Sequence, residues 1–565
     1  MDGIIKLFSD EERKIFWVSF FFLFFVFTFE TYRLNISYSE YIIYLFDAQD
    51  IAFSLITLFC IVISFCLFYL FIVFALSSFW FYKTICFLLF AAAAFVEFSF
   101  QKALGRFSDS LDIQNAVATT TDQQIASLLL YFNFAALIPC LVFLLCLVFI
   151  KRQDKCQGLR NLLLVFGLFA LFHVLLSEFG GFFIERKFPT SALVAFCRTN
   201  SDFIVAGISI NNTTEEISRN KSLRQTVQKP ALAENLRPAN NIVFVVDESV
   251  MGSQLSLNGY NRLTTPFLDN LAKQGSLHNW GTAVSASTGS RFTYNALITG
   301  LTPDDLPDKT EYKINSFPTI FQYAKAMNYT TYYFDGQMKN YWGGVADDKN
   351  YIDNWIGVDR VGDFPVMETW DIDNQIARRV NKIIEQSSGN FIFIFKHGCH
   401  IPYQKNFPAS EAIWFPTYTT DDLYAIPKAE KSTEVVNAYD NSLRYNINSF
   451  FKNLIDDYSD IPNDSVIIYT GDHGQTLFAG AKASHGGETK IEASVPLFIV
   501  GKLASNIDTG YKASHQNLYP TLLDLMNYPE ELRERKDVPS LFKAKASDSK
   551  PRFFNPNLGK KIPFD

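Results

Sequence analysis

Four short segments carry residues able to bind a metal or move a proton: Asp247-Glu248-Ser249, Lys396-His397-Gly398-Cys399-His400, Gly471-Asp472-His473-Gly474 and Ser484-His485-Gly486-Gly487. The first three each follow a short apolar run. Carboxylate oxygens and imidazole nitrogens converging from separate strand ends make a site for Zn²⁺ or a similar divalent cation. One such turn alone is more often a helix cap or a salt-bridge partner. All four together favour a metal site. A hydroxyl source lies in Ala286-Ser287-Thr288-Gly289-Ser290-Arg291, ahead of a helix expected over Phe292 to Ile298. Backbone N–H groups and the helix dipole favour an anion such as phosphate at that position. Metal coordination would lower the hydroxyl pKa enough for attack near neutral pH. Ser287 or Thr288 serves equally well as the N-cap of the same helix.

The elements that must hold these segments are legible as alternation. Apolar runs at Ile242 to Val246, Thr330 to Phe334, Phe391 to Phe395, Val466 to Thr470 and Leu497 to Val500 read as strands buried on both faces. Helical stretches fall at Thr265 to Gln274, Asp371 to Gln386, Glu434 to Tyr458 and Leu518 to Met526. This βα pattern predicts a parallel sheet covered by helices, with ligands gathering beyond the carboxyl ends of its strands. The tail from Glu530 to Asp565, rich in Lys, Arg and Pro, is expected to wrap the surface without strong structure.

The other half of the chain is chemically different. Phe occurs 57 times, 35 of them before residue 190. Apolar stretches near Ile15 to Tyr32, Ile51 to Ala75, Thr84 to Phe100, Ala126 to Ile150 and Asn161 to Phe183 predict five membrane spans, with a turn at Ser77 to Lys83. The first ends in Glu30-Thr31-Tyr32-Arg33 without a small-residue cleavage site, so it is expected to stay as an anchor. Lys6, Arg13, Lys14, Lys83, Lys151, Arg152, Lys155 and Arg160 fall on one side of the spans, against Arg33, Lys102 and Arg106 on the other. That bias puts the N-terminus in the cytoplasm and everything after residue 183 on the outer face. Glu97, His173 and Glu178, in or near the spans, are candidates for function or for helix packing. The domain boundaries follow: a membrane domain over 1–183, a bridging linker over 184–238 and an outer domain over 239–565. A net charge of -7 argues against a general nucleic-acid binder. Six of the 8 cysteines lie between Cys60 and Cys156, so no disulfide framework is read for the outer domain.

Val245-Val246-Asp247-Glu248-Ser249 followed by Leu255-Ser256-Leu257-Asn258-Gly259-Tyr260 resembles a motif pair of the lipid-linked phosphoethanolamine transferases that modify lipopolysaccharide. These belong to the sulfatase and alkaline phosphatase superfamily, and the resemblance covers nearly the whole chain. It implies a five-span membrane domain followed by an α/β/α sandwich catalytic domain of the alkaline phosphatase/sulfatase type. It further implies Zn²⁺ held by Glu248, Thr288, Asp472 and His473, with Thr288 as nucleophile. His485 and His400 take catalytic and substrate-binding roles, and Lys339 and Asn258 contact substrate. Phosphatidylethanolamine is the implied donor, releasing diacylglycerol; lipid A, a core sugar or another glycan is the acceptor. The implied location is the bacterial inner membrane, with the catalytic domain in the periplasm. The chain departs from the family's Gly-Thr-x-Thr-Ala-x-Ser-x-Pro-Cys segment at Ala286 to Tyr294, and another family histidine falls on Phe395. Alternative readings are a phosphoglycerol transferase acting on periplasmic glycans, a metal-dependent phosphatase or sulfatase, and an inactive membrane scaffold.

Overall fold

The computed structural model describes residues 9–34, 51–104, 132–150, 164, 167–168, 225–233, 236, 238–305, 317–338, 348–362, 367–418, 432–455, 464–478, 485–502, 507–534, 537–556 and 561–565. The chain divides into two compact units, Met1–Ala118 with Ser127–Thr213 and Thr119–Ala126 with Thr214–Asp565.

The first unit is helical: α1 (Asp10–Leu34), α2 (Ile51–Ser77), α3 (Trp80–Leu104) and α4 (Leu137–Phe149). Phe22, Phe68, Phe90 and Phe143 meet at its centre, with Phe22 and Phe143 stacked at 5.0 Å between centroids. Large apolar side chains also face outward, among them Phe21, Phe24, Leu145 and Val148. Helices apolar on every side are what a lipid surrounding requires. Among the described residues, one helix, Trp80–Phe100, is long and apolar enough to cross a membrane. The expected turn is present: α2 ends at Ser77 and α3 begins at Trp80. The Ser77 and Ser78 hydroxyls donate to carbonyls one turn back. Lys83 then donates to the Leu147 and Ile150 carbonyls at the end of α4, groups that a helix terminus leaves unpaired. Most of the expected fifth span, with His173 and Glu178, lies outside the described residues.

The second unit is built on a seven-stranded sheet in the order β2-β7-β6-β1-β5-β3-β4. In chain order the elements are β1 (Ile242–Asp247), α5 (Pro266–Lys273), β2 (Leu277–Val284), α6 (Ser290–Thr299), α7 (Ile320–Ala326), β3 (Thr330–Asp335), β4 (Asn354–Ile356), α8 (Ile372–Gln386), β5 (Asn390–Phe395), α9 (Ser432–Ile455), β6 (Val466–Gly471), β7 (Ser494–Val500) and α10 (Leu518–Leu525). β1, β5 and β6 are buried along their whole length. Side-chain alternation assigns their two faces. Phe244, Phe393 and Ile468 point into a core shared with Leu297, Phe321 and Leu522 of α6, α7 and α10. On the opposite face Tyr469 meets Phe451 of α9 at 5.5 Å, and α9 packs on α5 and α8. The result is a three-layer α/β/α sandwich.

All five expected strands form, but the sheet is mixed rather than parallel: β7 runs antiparallel to both β6 and β2. β2 escaped the sequence reading because it is an edge strand with polar positions and a register shift between Asn279 and Thr282. β4 has three residues, too few for a periodic signal. The described parts of the tail carry defined structure where unstructured chain was expected. Phe553–Phe554 (β8) pairs with Ile562–Pro563 (β9), and Arg552 grips Asp565 at 2.9 Å.

Gly300 closes α6 in the left-handed conformation, with φ of +72°, and a Cβ there would lie 2.6 Å from Tyr519 Cδ1 of α10. Gly300→Ala therefore combines left-handed strain with overpacking between two helices, about 2–4 kcal/mol together. A corresponding fall in the unfolding temperature, followed by near-UV circular dichroism, is expected.

Candidate metal centre and nucleophile

β1, β3, β5 and β6 all present their carboxyl ends at one edge of the sheet, so the polar segments that follow them meet. Glu248, Asp472 and His473, all buried, bring one ligand atom each within 4.8 Å of the others. Glu248 Oε1 lies 3.5 Å and Asp472 Oδ2 3.4 Å from His473 Nε2. The donors are held by what surrounds them. His473 Nδ1 contacts the Gly474 carbonyl at 3.0 Å, which fixes the proton on Nδ1 and leaves the Nε2 lone pair facing the carboxylates. Asp472 Oδ1 accepts from the backbone N–H groups of Ser249 and His473, at 2.8 and 2.7 Å. Asp472 Oδ2 is buried without a hydrogen-bond partner. Glu248 accepts from Ser249 Oγ at 2.6 Å and from Gln337 Nε2 at 3.0 Å.

Electrostatics sets the two carboxyls apart. Burial and then the Glu248 charge push Asp472 well above the usual carboxylate range. Burial also raises Glu248, but the positive charge of His473 and His400 when they are protonated, with the Ser249 and Gln337 hydrogen bonds, holds it below the usual carboxylate range. Two buried carboxylates and an imidazole lone pair around an orphaned oxygen fit a divalent cation, which would allow both carboxyls to ionise.

The hydroxyl brought to this group belongs to Ser290. Its Oγ lies 3.1 Å from His473 Nε2 and 3.3 Å from Glu248 Oε2. α6 starts at Ser290, two residues ahead of the expected helix, with Gly289 as its extended N-cap. Thr288, expected as nucleophile and metal ligand, is one of the buried residues before the helix and faces elsewhere. Its Oγ1 donates to the Gly487 carbonyl at 2.8 Å and its own carbonyl accepts from Gly486 N. Thr288 thus ties the helix entry to the loop bearing His485. Ser287, the other candidate, forms a bridge with Asn555 of the tail, and Asn555 N donates to the Ala286 carbonyl at 2.9 Å. The signal available in sequence was Gly289, whose place before Ser290 moves the helix start and hence the exposed hydroxyl.

His485 stacks on His473 with centroids 4.3 Å apart and lies 6.2 Å from the His400 ring. Burial, then the His473 imidazole, keeps His485 well below the ordinary histidine range. His400 Nδ1 sits 2.6 Å from the Ile401 carbonyl, leaving Nε2 available. Asn258 is not brought to the group: its amide donates to the Gly252 carbonyl and accepts from Asn279, bracing the loop after β1 against β2. Lys339 lies outside the described residues.

Glu492 was not singled out by the sequence. It is buried, its carbonyl accepts from Gly474 N at 2.7 Å, and Thr489 N reaches its carboxyl at 3.4 Å. Burial pushes this carboxyl up to about 7 from an ordinary value of 4.5. Between those values the unfolded chain gives up the proton while the folded chain keeps it. Stability is therefore expected to fall as pH rises through that window, by at most about 3 kcal/mol, and to level off above it. Comparing unfolding temperatures of wild type and Glu492→Gln from pH 5 to pH 8 checks this; the variant should lack that part of the slope.

A model of the sulfatase family matches residues 240–528. The chain is 22% identical over 307 residues to the Kdo(2)-lipid A phosphoethanolamine 7''-transferase of Salmonella typhimurium, covering 54% of this chain and 49% of that protein. It is 26% identical over 313 residues to the phosphatidylethanolamine transferase Mcr-1 of Escherichia coli, covering 53% of this chain and 55% of that one. The chain spans about half the length of these curated relatives. Among solved structures it resembles the integral membrane lipooligosaccharide phosphoethanolamine transferase A of Neisseria meningitidis, with a TM-score of 0.54 and 18% identity. That match covers 83% of this chain and 90% of the other, and it is a likeness of fold. The family match takes in Glu248, Ser290, Asp472 and His473 and extends over just more than half of the sequence: the chain belongs to the sulfatase family.

Proposed function

We propose that the chain transfers phosphoethanolamine from phosphatidylethanolamine to a lipopolysaccharide acceptor, lipid A or a core sugar, through a covalent intermediate on Ser290. The observation that carries this reading is the Ser290 hydroxyl at the first turn of α6, within 3.3 Å of both Glu248 and His473. The similarity to phosphoethanolamine transferases supports the choice of group and acceptor. Zn²⁺ suits the set Glu248, Asp472, His473 and Ser290; when bound it supplies a lowered hydroxyl pKa and charge for the developing phosphorane.

The chain's own groups do the rest. Gly474 O fixes the His473 tautomer, and Ser249 and Gln337 aim Glu248. Ser290 Oγ attacks phosphorus, the bond to the diacylglycerol oxygen breaks, and the phosphoethanolamine stays on Ser290. His400 passes the proton given up by Ser290 to the leaving oxygen, while neutral His485 flanks the site and binds the phosphoryl oxygens. An acceptor hydroxyl or phosphate then attacks the adduct and restores the Ser290 hydroxyl. The helix N-terminus favours the anion at each stage.

In this reading residues 1–183 form a five-span inner-membrane domain with a cytoplasmic N-terminus, and 239–565 form a periplasmic catalytic domain joined by 184–238. The spans keep the site near both lipid substrates, which raises effective concentration. A formylglycine sulfatase mechanism finds no support: the Ser287 Oγ accepts from Gly289 N at 3.4 Å, whereas the hydroxyl that meets Glu248 and His473 is that of Ser290. Diacylglycerol release by the purified full chain tests the proposal. Release from phosphatidylethanolamine vesicles is expected. Release from phosphatidylglycerol alone would mark a phosphoglycerol transferase, turnover of an aryl sulfate alone a hydrolase, and no turnover a scaffold.

A further inference from the structure

Behind the metal group lies a second set of charges that the proposed mechanism does not use. Lys396, Asp247 and Asp373 are all buried, with Lys396 and Asp247 fully so. Lys396 Nζ lies 2.5 Å from Asp247 Oδ2 and 3.8 Å from Asp373 Oδ2, and rests 4.6 Å over the Phe450 ring. Tyr469 donates to the same Asp247 oxygen at 2.6 Å. Burying three ionised groups is costly, and replacing such a cluster with apolar residues is often neutral or stabilising. Stability therefore gives a weak account of this set.

Its connections give a better one. Asp247 precedes Glu248, and its carbonyl accepts from Asp472 N at 2.8 Å. Asp373, on α8, accepts from the backbone N–H groups of His397 and Gly398, at 2.8 and 3.0 Å. Those residues begin the loop that carries His400. Gly398 packs so closely that a Cβ would lie 2.5 Å from Asp247 Oδ1, and its φ of +64° also suits glycine. The Lys396 carbonyl accepts from Gln337 Nε2 at 3.0 Å, and the same amide nitrogen donates to Glu248 Oε2. Lys396 thus reaches Glu248 by two routes, through its ammonium and Asp247 and through its carbonyl and Gln337. It reaches the His400 loop by a third, through Asp373.

We propose that Lys396 is a positioning residue that locks the Asp247–Glu248 turn to the His397–His400 loop, presetting the carboxylate geometry for the metal. The inference rests on the metal-centre reading above. Groups behind metal ligands commonly change affinity by about 10–100-fold when removed.

The sign of the effect separates positioning from charge. By charge alone, deleting a neighbouring cation makes Zn²⁺ bind more tightly, whereas loss of position makes it bind more weakly. The experiment measures Zn²⁺ affinity of the full chain in detergent by competition with a chromophoric chelator, alongside circular dichroism. Wild type, Lys396→Met and the double variant Asp247→Asn with Lys396→Met are compared. The double variant removes the Lys396–Asp247 pair together and leaves Asp373 held by the His397 and Gly398 N–H groups, so it decides the question if the single variant does not fold. Both folded variants are expected to bind Zn²⁺ at least about 10-fold more weakly than wild type. A folded double variant with wild-type or tighter affinity overturns the proposal, and a double variant that loses its fold assigns the pair to folding and overturns it too. Wild type that binds no Zn²⁺ would instead refute the metal-centre reading.

Discussion

Ser290→Ala is expected to lower turnover by on the order of 10⁴-fold or more, because loss of a nucleophile removes the covalent route altogether. The fold and metal binding should survive it, since Glu248, Asp472 and His473 each have backbone or side-chain supports besides Ser290. Thr288→Val supplies the contrast. It deletes the bond to the Gly487 carbonyl but keeps the one from Gly486 N to the Thr288 carbonyl. A single lost hydrogen bond is worth about 0.5–1.5 kcal/mol, so turnover should change by about tenfold or less. Steady-state diacylglycerol release by the two variants, normalised to folded protein, checks both. If Thr288→Val is the inactive one, the hydroxyl geometry at the start of α6 has been misassigned.

Asp472→Asn is expected to abolish metal binding while sparing the metal-free protein. An asparagine can keep Oδ1 for the Ser249 and His473 N–H groups, but it points an amide N–H where Asp472 Oδ2 now faces the group. A donor in a ligand position repels the cation, and affinity should fall by at least on the order of 10²-fold, beyond the usual effect of an outer partner. In the metal-free protein, however, Asp472 is a buried carboxyl beside a second one, and burial and Glu248 push its pKa up. Removing that conflict should leave the metal-free stability equal or higher. Unfolding temperatures measured with and without Zn²⁺ read both effects: wild type gains stability with the ion by linkage, and the variant does not. A variant that is strongly destabilised without metal would show that Asp472 is a structural residue first.

The sequence carries some of these features openly and hides others until the chain folds. Glu248, Asp472 and His473 are legible because each follows a short run buried on both faces, and parallel strands deliver their carboxyl ends to one edge. The antiparallel course of β7 was hidden, since an apolar run has no direction. β2 was hidden because an edge strand with polar positions and a shifted register lacks the alternation that marks a strand. The nucleophile depended on two residues of helix phase. Matching Thr288 to the family's threonine sets the register two residues early, whereas the extended Gly289 starts α6 at Ser290 and brings that hydroxyl to the group. Asp247, Lys396, Asp373 and Gln337 are scattered over some 150 residues, and only the fold reveals that they converge on Glu248. The tail's hold on Ala286 and Ser287 is equally a product of distant pairing.

The central claim is that Ser290 carries the transferred group. Intact-protein mass spectrometry after incubation with phosphatidylethanolamine and no acceptor, followed by peptide mapping, tests it most directly. A phosphoethanolamine increment on the peptide spanning residue 290, localised to Ser290 and absent from Ser290→Ala, is the predicted result. The same increment on Thr288 or Ser287, or diacylglycerol release without any adduct, would contradict it.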